Sequence, residues 1–156
     1  MGRLSTNNST SQLATGDIAV LIVITLASFL PPFVGSSLNV SAPAISLEFN
    51  APATDLGWLI SAFILCCVSL VLPLGRLGDL TSRRALLTAG FIIFTVTSVA
   101  IVFVPSFQWL ISLRVLQGIG GACIFATSQA ILTDTFSPAI RGRVLGISVS
   151  AVYVGL

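Results

Sequence analysis

Seven arginines, five carboxylates and no histidine or lysine carry the side-chain charge of this 156-residue chain. Without His there is no imidazole proton shuttle, no Ser-His-Asp triad and no His-ligated metal. Cys66, Cys67 and Cys123 lie inside apolar runs without CxxC spacing and read as small apolar fillers. The chemistry left is that of arginine and carboxylate at a membrane. Asp79 stands among Arg76, Arg83 and Arg84, where an acid can form charge-assisted bonds with the neighbouring guanidinium groups. Arg114 is an isolated charge inside an apolar run. A charge there costs about +2.5–3.5 kcal/mol at a helix centre, less where the side chain snorkels. Its depth directs it into a bundle or a water-filled cavity; the alternative is a snorkelling Arg at the headgroup level.

Arg114, Gly118, Ala122, Ala126, Ala130 and Asp134 recur every four residues. That spacing keeps them near one slowly drifting stripe of an α-helix. Small residues on such a stripe allow close helix approach. Packing alone does not explain a charge at each end of it.

The elements that hold these residues follow from composition. Charged residues are 8%, against about 25% in soluble domains, and hydrophobic residues are 55%. Too few charges remain to cover a water-soluble surface, and disorder needs the opposite balance. No basic patch is interleaved with aromatics, so no nucleic-acid partner is expected. A membrane span needs about 20 predominantly apolar residues. The uncharged runs predict helices near 18–45, 56–75, 85–104 and 107–133. A fifth starts near Arg143 and runs to the end of the sequence. Pro105 marks a tight turn between the third and fourth. Gly75 and Gly78 are read as permitting a tight reversal in the 75–84 loop.

Residues 1–17 are polar and read as a cytoplasmic tail; residues 18–156 form the transmembrane region. A signal peptide is the rival for the first run, with Ser41-Ala42-Pro43-Ala44 as a loose cleavage site. The apolar run exceeds a normal h-region, so a retained span is expected. Arg3, Arg76, Arg83, Arg84, Arg141 and Arg143 all fall on one side, which the positive-inside rule makes cytoplasmic. An integral membrane protein of the cell (inner) membrane, with a cytoplasmic N-terminus, is expected. The sequons at Asn7, Asn8 and Asn39 then face the cytoplasm or the membrane, and glycosylation is not expected.

The segment Gly75-x-Leu77-x-Asp79 with Arg83-Arg84 resembles the helix 2–3 signature of the major facilitator superfamily. Leu113-Arg114-Val115-Leu116-Gln117-Gly118-Ile119-Gly120-Gly121-Ala122 resembles its helix-4 motif, with Arg114 as the motif arginine. Gly146 and Gly155 have the spacing that opens the helix-5 glycine motif of its antiporters. Residues 56–63 resemble helix 2 of the multidrug/proton antiporter branch, and Asn39-Val40-Ser41-Ala42-Pro43 resembles the end of its helix 1. The likeness covers about residues 18–156. The sequence departs from the pattern at Leu80, Ser82 and Val34. Val34 stands where that branch carries an Asp, which counts against proton coupling through helix 1.

The resemblance implies an all-α membrane protein. Four complete transmembrane helices and the start of a fifth would belong to the N-terminal half of a facilitator bundle, partnered by a C-terminal half that these residues lack. It implies alternating access about a midplane site. Asp79 and the loop arginines would act as a latch. Asp134, opposed by the dipole of its own helix, joins the same charge cluster, with Arg83, Arg84 and Arg141 as its candidate cations. Arg114 would lie near the proton or substrate path, and Asn39 could line the cavity or serve packing. No resident cofactor is implied; a proton is the coupling ion. The leading reading is proton-linked export of drugs or other small organic molecules across the bilayer. An uptake symporter for a sugar or organic acid is the alternative of the same fold. A truncated, non-transporting membrane protein is the alternative from another class. An intramembrane enzyme is not expected, because Asp79 and Asp134 sit at the membrane edge.

Overall fold

The computed structural model describes residues 15–156, apart from the side chains of residues 15 and 53. Five helices follow one another: α1 (Thr15–Phe49), α2 (Ala53–Leu80), α3 (Arg83–Ile101), α4 (Phe107–Thr135) and α5 (Pro138–Gly155). The first four are long and apolar enough to cross a bilayer. No strand occurs among the described residues. Residues 1–14 of the expected tail lie outside the described residues, while residues 15–17 are the first turn of α1 rather than tail.

α4 is the centre of the bundle. It packs extensively on α2 and α3 and more lightly on α1, while α5 packs on α1. Small residues make these approaches close. A Cβ on Gly118 would stand 2.9 Å from the Phe63 carbonyl oxygen of α2. One on Gly120 would stand 2.8 Å from the Phe94 backbone nitrogen of α3. α4 can therefore touch two neighbouring backbones at once, which van der Waals packing between membrane helices rewards. On α1–α3, large apolar residues such as Ile22, Leu26, Leu72 and Val96 point outward and are exposed, as a lipid-facing surface requires.

Two boundaries differ from the sequence expectation for physical reasons. α2 does not stop at Gly75 but continues to Leu80, with both glycines helical and no glycine at positive φ among the described residues. Gly78 is buried, within packing distance of Thr127 of α4, so it serves helix contact rather than reversal. Only Thr81 and Ser82 form the turn; Ser82 caps α3 by accepting a bond from the Ala85 amide at 3.4 Å. α5 begins at Pro138 rather than near Arg143. Proline at a first helical turn has no amide to satisfy and a φ already suited to the helix. At the opposite end of the bundle Asn50 takes φ 49, a left-handed value that Asn tolerates, and closes the α1–α2 connection. Ser46 holds that connection by donating to the Ala51 carbonyl at 2.8 Å.

Candidate functional site

Two features carry the chemistry: a cavity around Arg114, and a charge cluster where α2, α3 and α4 meet.

Arg114 leaves α4 into a cavity of about 230 Å³ between α1, α2 and α4, with Leu156 also on its wall. The residue is 4% exposed, so the guanidinium is inside the bundle rather than in lipid. Pro31, Leu38, Ile60 and Phe63 give the cavity apolar walls, while Ser36 and Asn39 add polar groups from α1. Arg114 Nη1 donates to Gln117 Oε1 at 2.8 Å. Gln117 Nε2 then donates to Ser98 Oγ on α3 at 2.7 Å, and Ser98 donates to the Phe94 carbonyl at 2.6 Å. A hydrogen-bonded chain thus runs from the cavity through α4 into α3. Arg114 Nε is buried without a partner. Gln117 and Gly118 are buried one turn along; Gly121 packs against the Phe63 ring.

Arg83 is the hub of the charge cluster. Its Nη2 and Nε donate to Asp79 Oδ1 at 2.6 and 2.9 Å. Its Nη1 pairs with Asp134 and donates to the Ala130 carbonyl at 3.3 Å. One guanidinium therefore joins the C-terminal ends of α2 and α4. A carboxylate at a helix C-terminus is opposed by the helix dipole, and the shared cation offsets this. The acids are more than half exposed and Arg83 is 29% exposed, so water reaches the cluster.

The other sequence candidates divide. Of the three arginines expected within reach of Asp134, Arg83 pairs with it and Arg141 does not. Because α5 starts at Pro138, Arg141 falls in its first turn. From there its Nη2 donates to the Thr133 carbonyl at 2.6 Å and to the Phe136 carbonyl at 3.4 Å. It satisfies carbonyls that the end of α4 leaves open. Arg84 is exposed, takes part in neither ion pair, and lines a groove with residues of α1, α3 and α4. Gly75 makes ordinary contact with Ala126, and Leu77 is exposed. Gly155 lies against α1, where a Cβ would come within 2.8 Å of the Phe29 carbonyl. A Cβ on Gly146 would meet nothing within 4 Å among the described residues, so the two glycines of the expected helix-5 motif differ in surroundings.

Sequence reasoning missed Ser98, and it missed the buried Ser28–Ser148 hydroxyl pair at 3.0 Å that ties α1 to α5. The available signal was a hydroxyl inside an apolar helix, where polar groups seek partners across the interface.

The comparisons agree on a family. Residues 24–156 match the model of the Major Facilitator Superfamily. The riboflavin transporter RibZ of Clostridioides difficile is 32% identical over 136 residues, 87% of this chain and 30% of that protein. The multidrug efflux pump LfrA of Mycolicibacterium smegmatis is 30% identical over 86% of this chain and 27% of its own length. The cephamycin export protein CmcT of Amycolatopsis lactamdurans is 30% identical over 97% of this chain and 31% of its length. Among solved structures, a bacterial homolog of the human lysosomal transporter Spinster, inward-facing and unoccupied, superposes with a TM-score of 0.80. It is 27% identical, over 88% of this chain and 29% of that one. The chain therefore spans between 22% and 31% of the length of the curated relatives it matches. These relatives are named as transporters, exporters and pumps rather than enzymes. An all-helical bundle with this arrangement, matched along most of its length, makes the chain a member of the Major Facilitator Superfamily.

Proposed function

We propose that these helices are the N-terminal part of a secondary transporter that exports small organic molecules by alternating access, coupled to protons. The observation that carries this reading is the buried Arg114 on the wall of a mostly apolar cavity. Apolar walls with a few fixed polar groups suit a small organic ligand. A charge retained at that depth is expensive unless function uses it. Several relatives named for efflux or export support the direction of transport.

In this reading Arg83, Asp79 and Asp134 latch one conformation and release in the other. α1 has no acid between Asp17 and Glu48, so proton coupling does not run through a carboxylate in the middle of α1. The partners are the bilayer, a small-molecule substrate and a C-terminal half. The Arg-rich end and the N-terminus face the cytoplasm, in a cell membrane.

Reconstitution of the full-length protein in proteoliposomes tests the reading. An imposed proton gradient should drive movement of compounds from a panel of anionic, neutral and cationic dyes, and a protonophore should abolish it. Arg114→Ala should lower transport by about tenfold or more while folded yield stays within about twofold. Equal loss of yield and transport, or movement indifferent to the gradient, would refute it.

A further inference from the structure

Arg114 is the only ionisable side chain on the cavity wall among the described residues. The five acids of the chain stand elsewhere. Asp17 and Glu48 are at the two ends of α1, Asp55 and Asp79 near the two ends of α2, and Asp134 at the end of α4. Both ion pairs of the described residues belong to Arg83. Among the described residues Arg114 thus has no counter-charge. Its side-chain partner is the neutral amide of Gln117 through Nη1, and its buried Nε has no acceptor. The edge of the guanidinium that Gln117 leaves unused carries Nε and Nη2. Nε is closed off inside the bundle, whereas Nη2 is neither bonded nor closed off, so it is the donor a carboxylate in the cavity can engage.

We propose that the cavity selects an organic anion, with the ligand's carboxylate or equivalent oxyanion as the counter-charge of Arg114. A buried cation without a partner is unfavourable, and a ligand that brings the missing charge relieves it. The apolar walls of Pro31, Leu38, Ile60 and Phe63 hold the body of the ligand, and Asn39 supplies a polar contact from α1, the Ser36 hydroxyl already donating to the Leu156 carbonyl at 2.7 Å. The ligand class is therefore a small amphipathic monoanion. A cation would face Arg114 directly and is selected against by the same charge. This proposal rests on the reading of the cavity as the transport site and adds the class of molecule it takes.

The test uses three probes of matched shape at neutral pH: 2-naphthoate, 2-naphthylmethanol and 2-naphthylmethylammonium. Binding to the purified full-length protein is measured by equilibrium dialysis. The expected order is anion first, with the cation weaker by about tenfold or more. Arg114→Gln should bring the anion to within about twofold of the neutral alcohol, whose own binding should barely move. Asn39→Asp places a carboxylate on the cavity wall at nearly constant size and should weaken the anion about tenfold. Asn39 is exposed, so this variant reads the same charge balance if Arg114→Gln does not fold. A cation that binds as well as the anion, an Arg114→Gln protein that keeps the anion preference, or no detectable binding of 2-naphthoate overturns the proposal. Transport of the same probes separates the two readings. Anion binding without movement of any probe defeats the transport reading alone. Movement of the cation but not of the anion defeats the anion proposal alone.

Discussion

Arg114 and Arg83 show how differently two arginines of one bundle are used. Arg83 sits at the water boundary with two acids, where exposed ion pairs contribute about 0–1 kcal/mol each. Arg114 is buried with one neutral partner. Replacing it by Met removes a charge whose insertion costs about 2.5–3.5 kcal/mol, but leaves the Gln117 acceptor unpaired at a cost of about 1–3 kcal/mol. These terms nearly cancel. Arg114→Met should therefore leave the unfolding temperature close to wild type in detergent, while transport falls by about tenfold or more. Adding Gln117→Leu removes the orphaned amide oxygen and should raise the unfolding temperature above that of Arg114→Met. It also ends the donation to Ser98. Ser98 keeps its own bond to the Phe94 carbonyl, so that end of the chain is not stranded. If Arg114→Met unfolds the protein outright, the arginine is a structural member of the core and the functional argument fails.

At the scale of elements, α4 is defined by what its glycines touch. A methyl on Gly120 would press on the Phe94 amide nitrogen at 2.8 Å and the Gly90 carbonyl at 2.9 Å, neither of which moves without moving α3. Gly120→Ala should lower stability by about 1–3 kcal/mol through overpacking. Gly146 has open space around it, so Gly146→Ala should be neutral or stabilise by up to about 1 kcal/mol through helix propensity. Thermal unfolding of the two variants side by side checks this. Equal losses would mean that close approach is not what α4 needs glycine for. The same helices show which parts of the fold were legible. Charge-free runs gave the four spans because hydrocarbon excludes charge along about 20 residues. The small-residue stripe gave close approach of α4 to another helix, but not that α4 packs on both α2 and α3 at the centre of the bundle. The reach of α2 past Gly75 was not legible, because a glycine that breaks a helix in water packs a helix in lipid. The start of α5 is legible in Ser137-Pro138, a proline at the first helical turn, and not in the later Arg143. At the site, the position of Arg114 followed from its isolation in an apolar run. Charge placement left Arg83, Arg84 and Arg141 all within reach of Asp134; that Arg83 is the partner depends on the register of α3 and α5 against α4.

For the whole molecule, the cluster at Arg83 links helix ends that alternating access would have to move. Asp79 ends α2, Arg83 opens α3 and Asp134 ends α4, and one guanidinium bonds to both acids. A contribution of about 1 kcal/mol is a modest part of folding stability, yet it shifts a two-state ratio about fivefold. Neutralising the cluster should therefore change the balance of the transporter's conformations more than its stability. Asp134→Asn and Arg83→Gln in the full-length protein should each alter transport rate several-fold. The double variant should resemble the single ones rather than multiply them, because either change breaks the same link. Additive effects would mean the two residues act independently. The Asp79 bond complicates Arg83→Gln alone, so Asp79→Asn with Asp134→Asn supplies the second cycle, reporting whether α2 and α4 are coupled through their shared cation. The same end of the molecule fixes orientation. A lone cysteine at position 82, in a background with Cys66, Cys67 and Cys123 replaced by Ala, occupies an exposed turn beside the cluster. If the Arg-rich end is cytoplasmic, an impermeant thiol reagent should label this cysteine only after cells are opened. Labelling of intact cells would put the cluster on the outer face, and the latch would then have to guard the opposite opening.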